Sequence, residues 1–130
     1  MHIVIRNIIQ KKFNEEMYVL ICQSDDEKWF LPEGLMQEGE LISNAAQRII
    51  FKQTRIDALV SSILDKSSQD DFTFLYVLSN PLNEHTFLPN DKIKKIYWSS
   101  IEDLSKFFED SSKDIINKIV DAIKEKSKSK

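Results

Sequence analysis

Glycine, histidine, proline and cysteine are all scarce in this 130-residue chain, which holds two, two, three and one of them respectively. The single cysteine, Cys22, cannot form an internal disulfide and has no ligand-spaced partner for a structural zinc ion. Because it lies in an apolar run, we predict a buried thiol. Neither histidine, His2 or His85, has a nearby nucleophilic residue at a spacing typical of a catalytic motif, so the sequence predicts no catalytic triad.

A long apolar run and an excess of basic charge are also missing. No stretch approaches the roughly 20 apolar residues needed to cross a bilayer, and the N-terminus lacks the features of a signal peptide. We therefore predict a cytoplasmic protein without a membrane partner. The net charge of −3 and the lack of a basic stripe interleaved with aromatic residues argue against a nucleic-acid partner.

The composition is that of an ordinary globular protein, with 42% hydrophobic and 30% charged residues. This composition and length predict one domain, residues 1–126, followed by a basic tail at 127–130. Runs of β-branched and alternating residues predict several strands. The predicted strands cover residues 2–9, 17–23, 28–31, 56–64, 71–78 and 93–98.

Polar segments between the strands predict turns and one long loop. These segments are residues 11–16, 65–70 and 80–91. Apolar residues at helical spacing predict a helix over 41–53, with Ser43 or Asn44 as its cap, and a second helix over 111–124. The order of elements alone supports an α/β or α+β fold.

Both glycines, Gly34 and Gly39, lie within six residues of each other, immediately before the predicted central helix. A chain that has no other glycine and keeps two in one loop needs them for its backbone. Such positions require either a positive φ angle or a close approach of another part of the chain. We therefore expect the shape of this loop to be specified.

The segment 29–56 resembles the signature of the Nudix hydrolase family. That signature reads Gly, five residues, Glu, seven residues, then Arg-Glu-apolar-x-Glu-Glu-x-Gly-apolar. The positions that match it here are Gly34, Glu40, Arg48, Ile50 and Ile56. The resemblance implies an α/β fold, the Nudix-type α/β/α sandwich with a mixed β-sheet. It also implies a structural salt bridge between Glu40 and Arg48 that fastens the loop to the helix.

The departures from the signature fall on its metal-binding positions. Where the family has three helix glutamates this chain has Ile49, Lys52 and Gln53, and Arg55 stands at the closing glycine. In the family these glutamates hold Mg²⁺ or Mn²⁺, because carboxylates at such spacings share one helix face. Here only a neutral amide could coordinate. We therefore expect no metal, no cofactor and no catalytic residue.

The first functional hypothesis is a non-catalytic binding or assembly module for a protein partner or a phosphate-containing, nucleotide-like ligand. Lys52 and Arg55 would supply the positive charge that the metal supplies elsewhere, and Glu38 is a further candidate ligand contact. The simpler interpretation of Lys52 is an ordinary exposed helix lysine. Phe51 lies off the apolar stripe, so we expect it to be exposed in a monomer and available to a partner.

Aromatic side chains are candidates for stacking a base, although packing in the core is the more common role. The candidates are Trp29, Phe30, Phe51, Tyr76, Phe87, Tyr97 and Trp98.

The alternative hypothesis is a Mg²⁺- or Mn²⁺-dependent pyrophosphohydrolase of nucleoside diphosphate derivatives, with its metal ligands relocated to other acids. The acids available for this are Glu33, Glu38, Asp70, Asp71 and Glu84. A third interpretation is a structural subunit that uses only the sheet and helices. The sequence leaves the ligand, the partner and the oligomeric state open.

Overall fold

The computed structural model describes residues 2–82 and 93–128. These residues form seven strands and two helices, with a short 3₁₀ turn at Leu104–Phe107 before the last helix. The strands are β1 His2–Phe13, β2 Glu16–Ser24, β3 Trp29–Phe30, β4 Glu33–Leu35, β5 Ala58–Gln69, β6 Phe72–Pro81 and β7 Ile93–Ser100. The helices are α1 Ile42–Thr54 and α2 Asp110–Lys128.

Strand β1 is the centre of the sheet. It pairs in parallel with β6 and antiparallel with β2 and β4, so that the strand order β3-β2-β1-β6-β5 is extended by β4 beside β1 and β7 beside β2. One parallel pair among antiparallel pairs makes the sheet mixed. The predicted mixed sheet is therefore confirmed.

The two faces of the sheet are covered by different helices, because successive side chains of a strand point to opposite faces. Ile5 of β1 packs in a cluster with Ile49 of α1. Ile8 packs in another cluster with Ile116 and Ile119 of α2. The predicted α/β/α sandwich is therefore confirmed.

Both predicted polar turns, at 11–16 and 65–70, are wrong in length. Strand β1 continues to Phe13 and turns through Asn14 and Glu15, whose φ angles are 51° and 68°. Strand β5 likewise continues to Gln69 before it turns. Strand backbones bond to each other whatever their side chains, so polar residues extend these hairpins beyond the apolar core.

The predicted cap of the central helix is also wrong. Leu41 occupies the N-cap position in an extended conformation and makes no side-chain capping bond, so neither Ser43 nor Asn44 begins the helix. The preceding loop is held by other contacts, including Glu40, whose carboxylate accepts a bond from the Gln37 backbone N–H. The first turn of the helix therefore begins without a side-chain cap.

Two predictions about single side chains are confirmed, and others cannot be compared with the structure. Cys22 is fully buried, and this burial raises the pKa of its thiol to about 12. Phe51 is 41% exposed. The predicted roles of Glu84, His85 and Phe87 lie outside the described residues, as does most of the predicted 80–91 loop. In the part of the chain that the structure describes, neither helix is apolar and long enough to span a membrane.

Helix α1 ends at Thr54, and the next residue, Arg55, takes the left-handed conformation with φ 65°. A non-glycine residue there is less favourable than glycine by about 1 kcal/mol. We expect Arg55→Gly to be more stable than Arg55→Ala by about that amount in urea denaturation. The Ala variant is the matched control, because both variants lose the contact of the guanidinium with the Phe51 ring at 5.4 Å. Equal stability of the two variants would contradict this account.

Candidate functional site

The loop before α1 is fastened to the helix by one arginine. Arg48 Nε donates to Glu40 Oε2 at 2.7 Å, and Arg48 Nη2 donates to Glu40 Oε1 at 3.0 Å. The same Nη2 also donates to the Leu35 carbonyl at 2.9 Å. The predicted ion pair is therefore confirmed. Hydrogen bonding to Arg48 holds the pKa of Glu40 below its ordinary value, and the carboxylate raises the pKa of Arg48 in turn.

Each glycine of the loop has one of the two expected backbone roles. Gly39 has a φ angle of +81°, a conformation that side chains rarely adopt. Gly34 lies against α1, where an added Cβ would be 3.1 Å from Cγ1 of Ile49. Strand β4 therefore touches the helix directly at Gly34.

The three helix positions at which the Nudix signature has glutamate present an alkyl group, an ammonium and an amide. Ile49 is 3% exposed and packs against Gly34, whereas Lys52 is exposed. Gln53 is half-buried, and its Nε2 donates to the Glu33 carbonyl at 2.9 Å. A hard divalent cation requires several oxygen ligands. Since Gln53 Oε1 is the one side-chain oxygen among these three residues, the positions do not fit Mg²⁺ or Mn²⁺.

The other acids proposed from the sequence are dispersed. Glu33 pairs with Arg6, and Asp71 lies 3.9 Å from His2 at the far end of β1. Glu38 borders a shallow depression at the loop, beside Gly39 and Glu40. Within residues 2–82 and 93–128, no three His, Cys, Asp or Glu side chains converge as a metal site would require.

A pocket on the opposite face of the sheet was not predicted. The strand register places Arg6 of β1 directly between Glu33 of β4 and Tyr76 of β6. Arg6 Nε donates to Glu33 Oε1 at 3.1 Å, and its Nη1 donates to the Tyr76 hydroxyl at 2.7 Å. These residues lie at the base of a cavity of about 150 Å³. The sequence signal was a single arginine in an apolar strand, whose partners only the register shows.

Aromatic and apolar side chains form the walls of this Arg6 pocket. Trp29 lines it from β3, Phe108 from the chain before α2, and Ile116 from the helix itself. Trp29, Phe108 and Ser112 also line an adjoining depression of about 510 Å³. Of the aromatic candidates from the sequence, Trp29, Phe30 and Tyr76 lie at the Arg6 pocket.

Glu33 connects this pocket to helix α1. Its carboxylate lines the pocket beside Arg6, while its backbone carbonyl accepts the bond from Gln53. Glu33 thus contacts the pocket on one face of the sheet and α1 on the other, and neither Lys52 nor Arg55 is among the residues that line the pocket.

A family model described as the NUDIX domain matches residues 2–119. Because this match covers most of the chain, the chain belongs to the Nudix family. The α/β/α sandwich with its mixed sheet is the Nudix fold. Comparison with curated proteins gives no significant match.

Solved structures share this fold at low sequence identity. An Ap4A hydrolase from C. elegans, solved as a binary complex, has a TM-score of 0.72 and 17% identity, covering 92% of this chain and 95% of that chain. The NUDIX domain of Shewanella oneidensis NrtR, complexed with ADP ribose, has a TM-score of 0.73 and 12% identity, with coverages of 93% and 87%. An ADP-ribose pyrophosphatase from Streptococcus suis has a TM-score of 0.65 and 19% identity, with coverages of 78% and 75%.

The contact between Gly34 and Ile49 predicts an energetic coupling. We expect Gly34→Ala to lower the free energy of unfolding by about 1–3 kcal/mol, because the new methyl group overlaps the Ile49 side chain. In an Ile49→Ala background the same change should cost about 1 kcal/mol less. Urea denaturation of the four proteins measures this coupling. Strictly additive effects would show that the loop does not pack against α1 at this point.

The Glu40–Arg48 ion pair predicts a pH dependence of stability. The folded-state pKa of Glu40 is depressed, so its contribution is complete above its unfolded pKa of about 4.3. The contribution is lost as the pH falls through the lower folded value. The Tm difference between wild type and Glu40→Gln should therefore be largest near neutral pH and should shrink towards pH 3.

The control for this experiment is Glu102→Gln, which changes an exposed glutamate elsewhere. Its Tm difference from wild type should be smaller than that of Glu40→Gln at neutral pH. If Glu40→Gln differed from wild type by the same amount at every pH, the ion pair would not be the source of the stabilisation.

Proposed function

We propose that this Nudix-fold protein binds a nucleotide-like, phosphate-bearing ligand and does not hydrolyse it. The proposal rests on the side chains at the three α1 positions where the Nudix signature has glutamate. Ile49 is packed against Gly34, Lys52 is exposed, and the Gln53 amide is bonded to the Glu33 carbonyl. None of these side chains supplies the carboxylate oxygen that a hard divalent cation prefers.

Electrostatics supports the lack of hydrolysis. Metal-assisted hydrolysis needs a cation that neutralises the phosphate and lowers the pKa of the attacking water. The ammonium of Lys52 repels a divalent cation and attracts a phosphate. Arg55 adds a second positive charge at the same end of α1, and the sequence of α1 itself contains no acidic residue. The Lys52 side chain therefore favours an anion over a divalent cation at its own position.

The Arg6 pocket supports a ligand that carries a planar ring. Its volume of about 150 Å³ is smaller than the roughly 300–1,000 Å³ typical of a complete ligand site, so it fits one part of a ligand. Trp29 and Phe108 supply aromatic surface, and the Glu33 carboxylate is an acceptor for a ring N–H. The adjoining depression gives the rest of the ligand room to leave the pocket.

The position of Glu33 joins the two halves of the proposed site. The Glu33 side chain lines the Arg6 pocket on the α2 face of the sheet, and the Glu33 carbonyl accepts from Gln53 of α1, the residue after Lys52. A nucleotide matches these two environments, because its planar base suits the aromatic pocket and its anionic phosphates suit the cationic side chains. The complex of the NrtR domain with ADP ribose makes that compound a reasonable first probe for this chain.

Calorimetric titration with ADP-ribose, ATP and diadenosine tetraphosphate in EDTA tests binding. We expect saturable binding of at least one of them. Trp29→Ala should weaken it at least about tenfold, because stacking on one aromatic side chain contributes about 1–3 kcal/mol. Lys52→Glu should weaken binding of the nucleotide and leave binding of the parent nucleoside unchanged. Phe13→Ala, an exposed aromatic outside the pocket, is the matched control.

Hydrolysis is measured on the same compounds with Mg²⁺ and with Mn²⁺. We expect no release of phosphate or nucleoside monophosphate above the protein-free rate. Metal-dependent turnover would overturn the non-catalytic proposal and support relocated metal ligands, and the variants Glu33→Gln, Glu38→Gln and Glu84→Gln would then identify them. If none of the compounds bound, the ligand proposal would fail.

A further inference from the structure

Asn7 is a fully buried polar residue in the apolar strand β1. Its backbone N–H donates to the Pro32 carbonyl at 2.8 Å. Its side-chain atoms Nδ2 and Oδ1 have no hydrogen-bond partner within residues 2–82 and 93–128. Buried side-chain amides are nearly always hydrogen-bonded, because an unpaired one loses its bonds to water without replacement. Asn7 therefore requires a partner that is not a described protein group.

Strand alternation places Asn7 beneath helix α1. Ile5 and Ile9, two residues away on either side, share its face of the sheet. Ile5 packs in a cluster with Ile49, and Ile9 packs in a cluster with Ile50. The Asn7 amide thus lies between two apolar contacts with the helix.

Gln53 presents a second unpartnered atom at the same end of this interface. It follows Ile50 by three residues and Ile49 by four, so it lies on the next turn of the same helix face. Its Oε1 is buried and has no partner among the described residues. The carbonyls of Pro32 and Glu33, adjacent in the chain, accept from the Asn7 backbone and from Gln53 Nε2. Both residues therefore meet the same short segment of chain.

The unpartnered groups are complementary. Asn7 Nδ2 is a donor, and Gln53 Oε1 is an acceptor whose orientation is set by the bond from Nε2 to Glu33. A water molecule can accept from Asn7 Nδ2 and donate its two hydrogens to Asn7 Oδ1 and Gln53 Oε1, which satisfies all three atoms. Proteins hold about one buried water per 27 residues, and each usually makes about three hydrogen bonds to otherwise unsatisfied groups.

We propose that Asn7 and Gln53 enclose one ordered water molecule, which bridges Asn7 Nδ2 to Gln53 Oε1. Together with the bond from Gln53 to Glu33, this water ties α1 to β1 and to β4. The connection stands at a helix position where the Nudix signature has a metal-binding glutamate, and it needs no cation. It does not depend on the proposed ligand, so either proposal can fail alone.

A double-mutant cycle tests the bridge. Asn7→Leu and Gln53→Met keep the side-chain size and remove the hydrogen-bonding groups. We expect each to lower the folding equilibrium constant about tenfold, because the remaining partner is left buried and unsatisfied. In the double variant the folding equilibrium constant should fall by a factor much smaller than the product of the two single-variant factors. Ser62→Ala is the control, because its buried hydroxyl belongs to β5 and pairs opposite Leu78 of the α2-facing cluster.

Nuclear magnetic resonance identifies the water itself. The side-chain amide of Asn7 should show a cross-relaxation peak to a long-lived water, and the peak should be absent in Gln53→Met. Coupling in the cycle together with this peak supports the proposal. Coupling without the peak means that the two amides bond directly, which overturns it. Additive changes in folding free energy for Asn7→Leu and Gln53→Met, without the peak, overturn it as well. The changes for Asn7→Leu and the control Ser62→Ala should be additive in every case.

Discussion

The bonds from Arg48 to Glu40 and to the Leu35 carbonyl are the constraint on which the rest of the site depends. Exposed ion pairs contribute only about 0–1 kcal/mol, so the importance of this one is positional. It is bidentate, and its third bond goes to the backbone, which fixes the loop relative to the helix. That placement brings Gly34 against Ile49 and the Glu33 carbonyl to the Gln53 amide.

A single step along β4 passes from one side of the sheet to the other. The side chain of Glu33 faces Arg6 and the pocket, and the next residue, Gly34, faces Ile49 and helix α1. The loop conformation therefore controls the pocket and the helix contact together. Glu33 and Gly34 keep these two contacts although the three α1 positions where the signature has glutamate carry Ile49, Lys52 and Gln53.

The parts that the sequence predicts are those with a local signal. The roles of Gly34 and Gly39 followed from their isolation, and the Arg48 pair followed from its spacing to Glu40 within a known signature. The Arg6 contacts, in contrast, span 27 and 70 residues of sequence and arise from the register of three strands. Periodicity gives the face of a side chain but not its neighbours on other strands. The polar ends of the hairpins were missed for a related reason, since backbone pairing extends strands without apolar residues.

The three α1 side chains that stand where the Nudix signature has glutamate are physically linked. Carboxylates that share one face of a helix repel each other unless a cation lies among them. If one such ligand is replaced by a hydrocarbon, as at Ile49, the cation is held less tightly and the remaining carboxylates lose their compensation. Neutral or positive residues at the other two positions, here Gln53 and Lys52, remove that repulsion. A single glutamate introduced at 49 would be buried against Gly34, so this substitution alone would not supply the several oxygen ligands that a divalent cation requires.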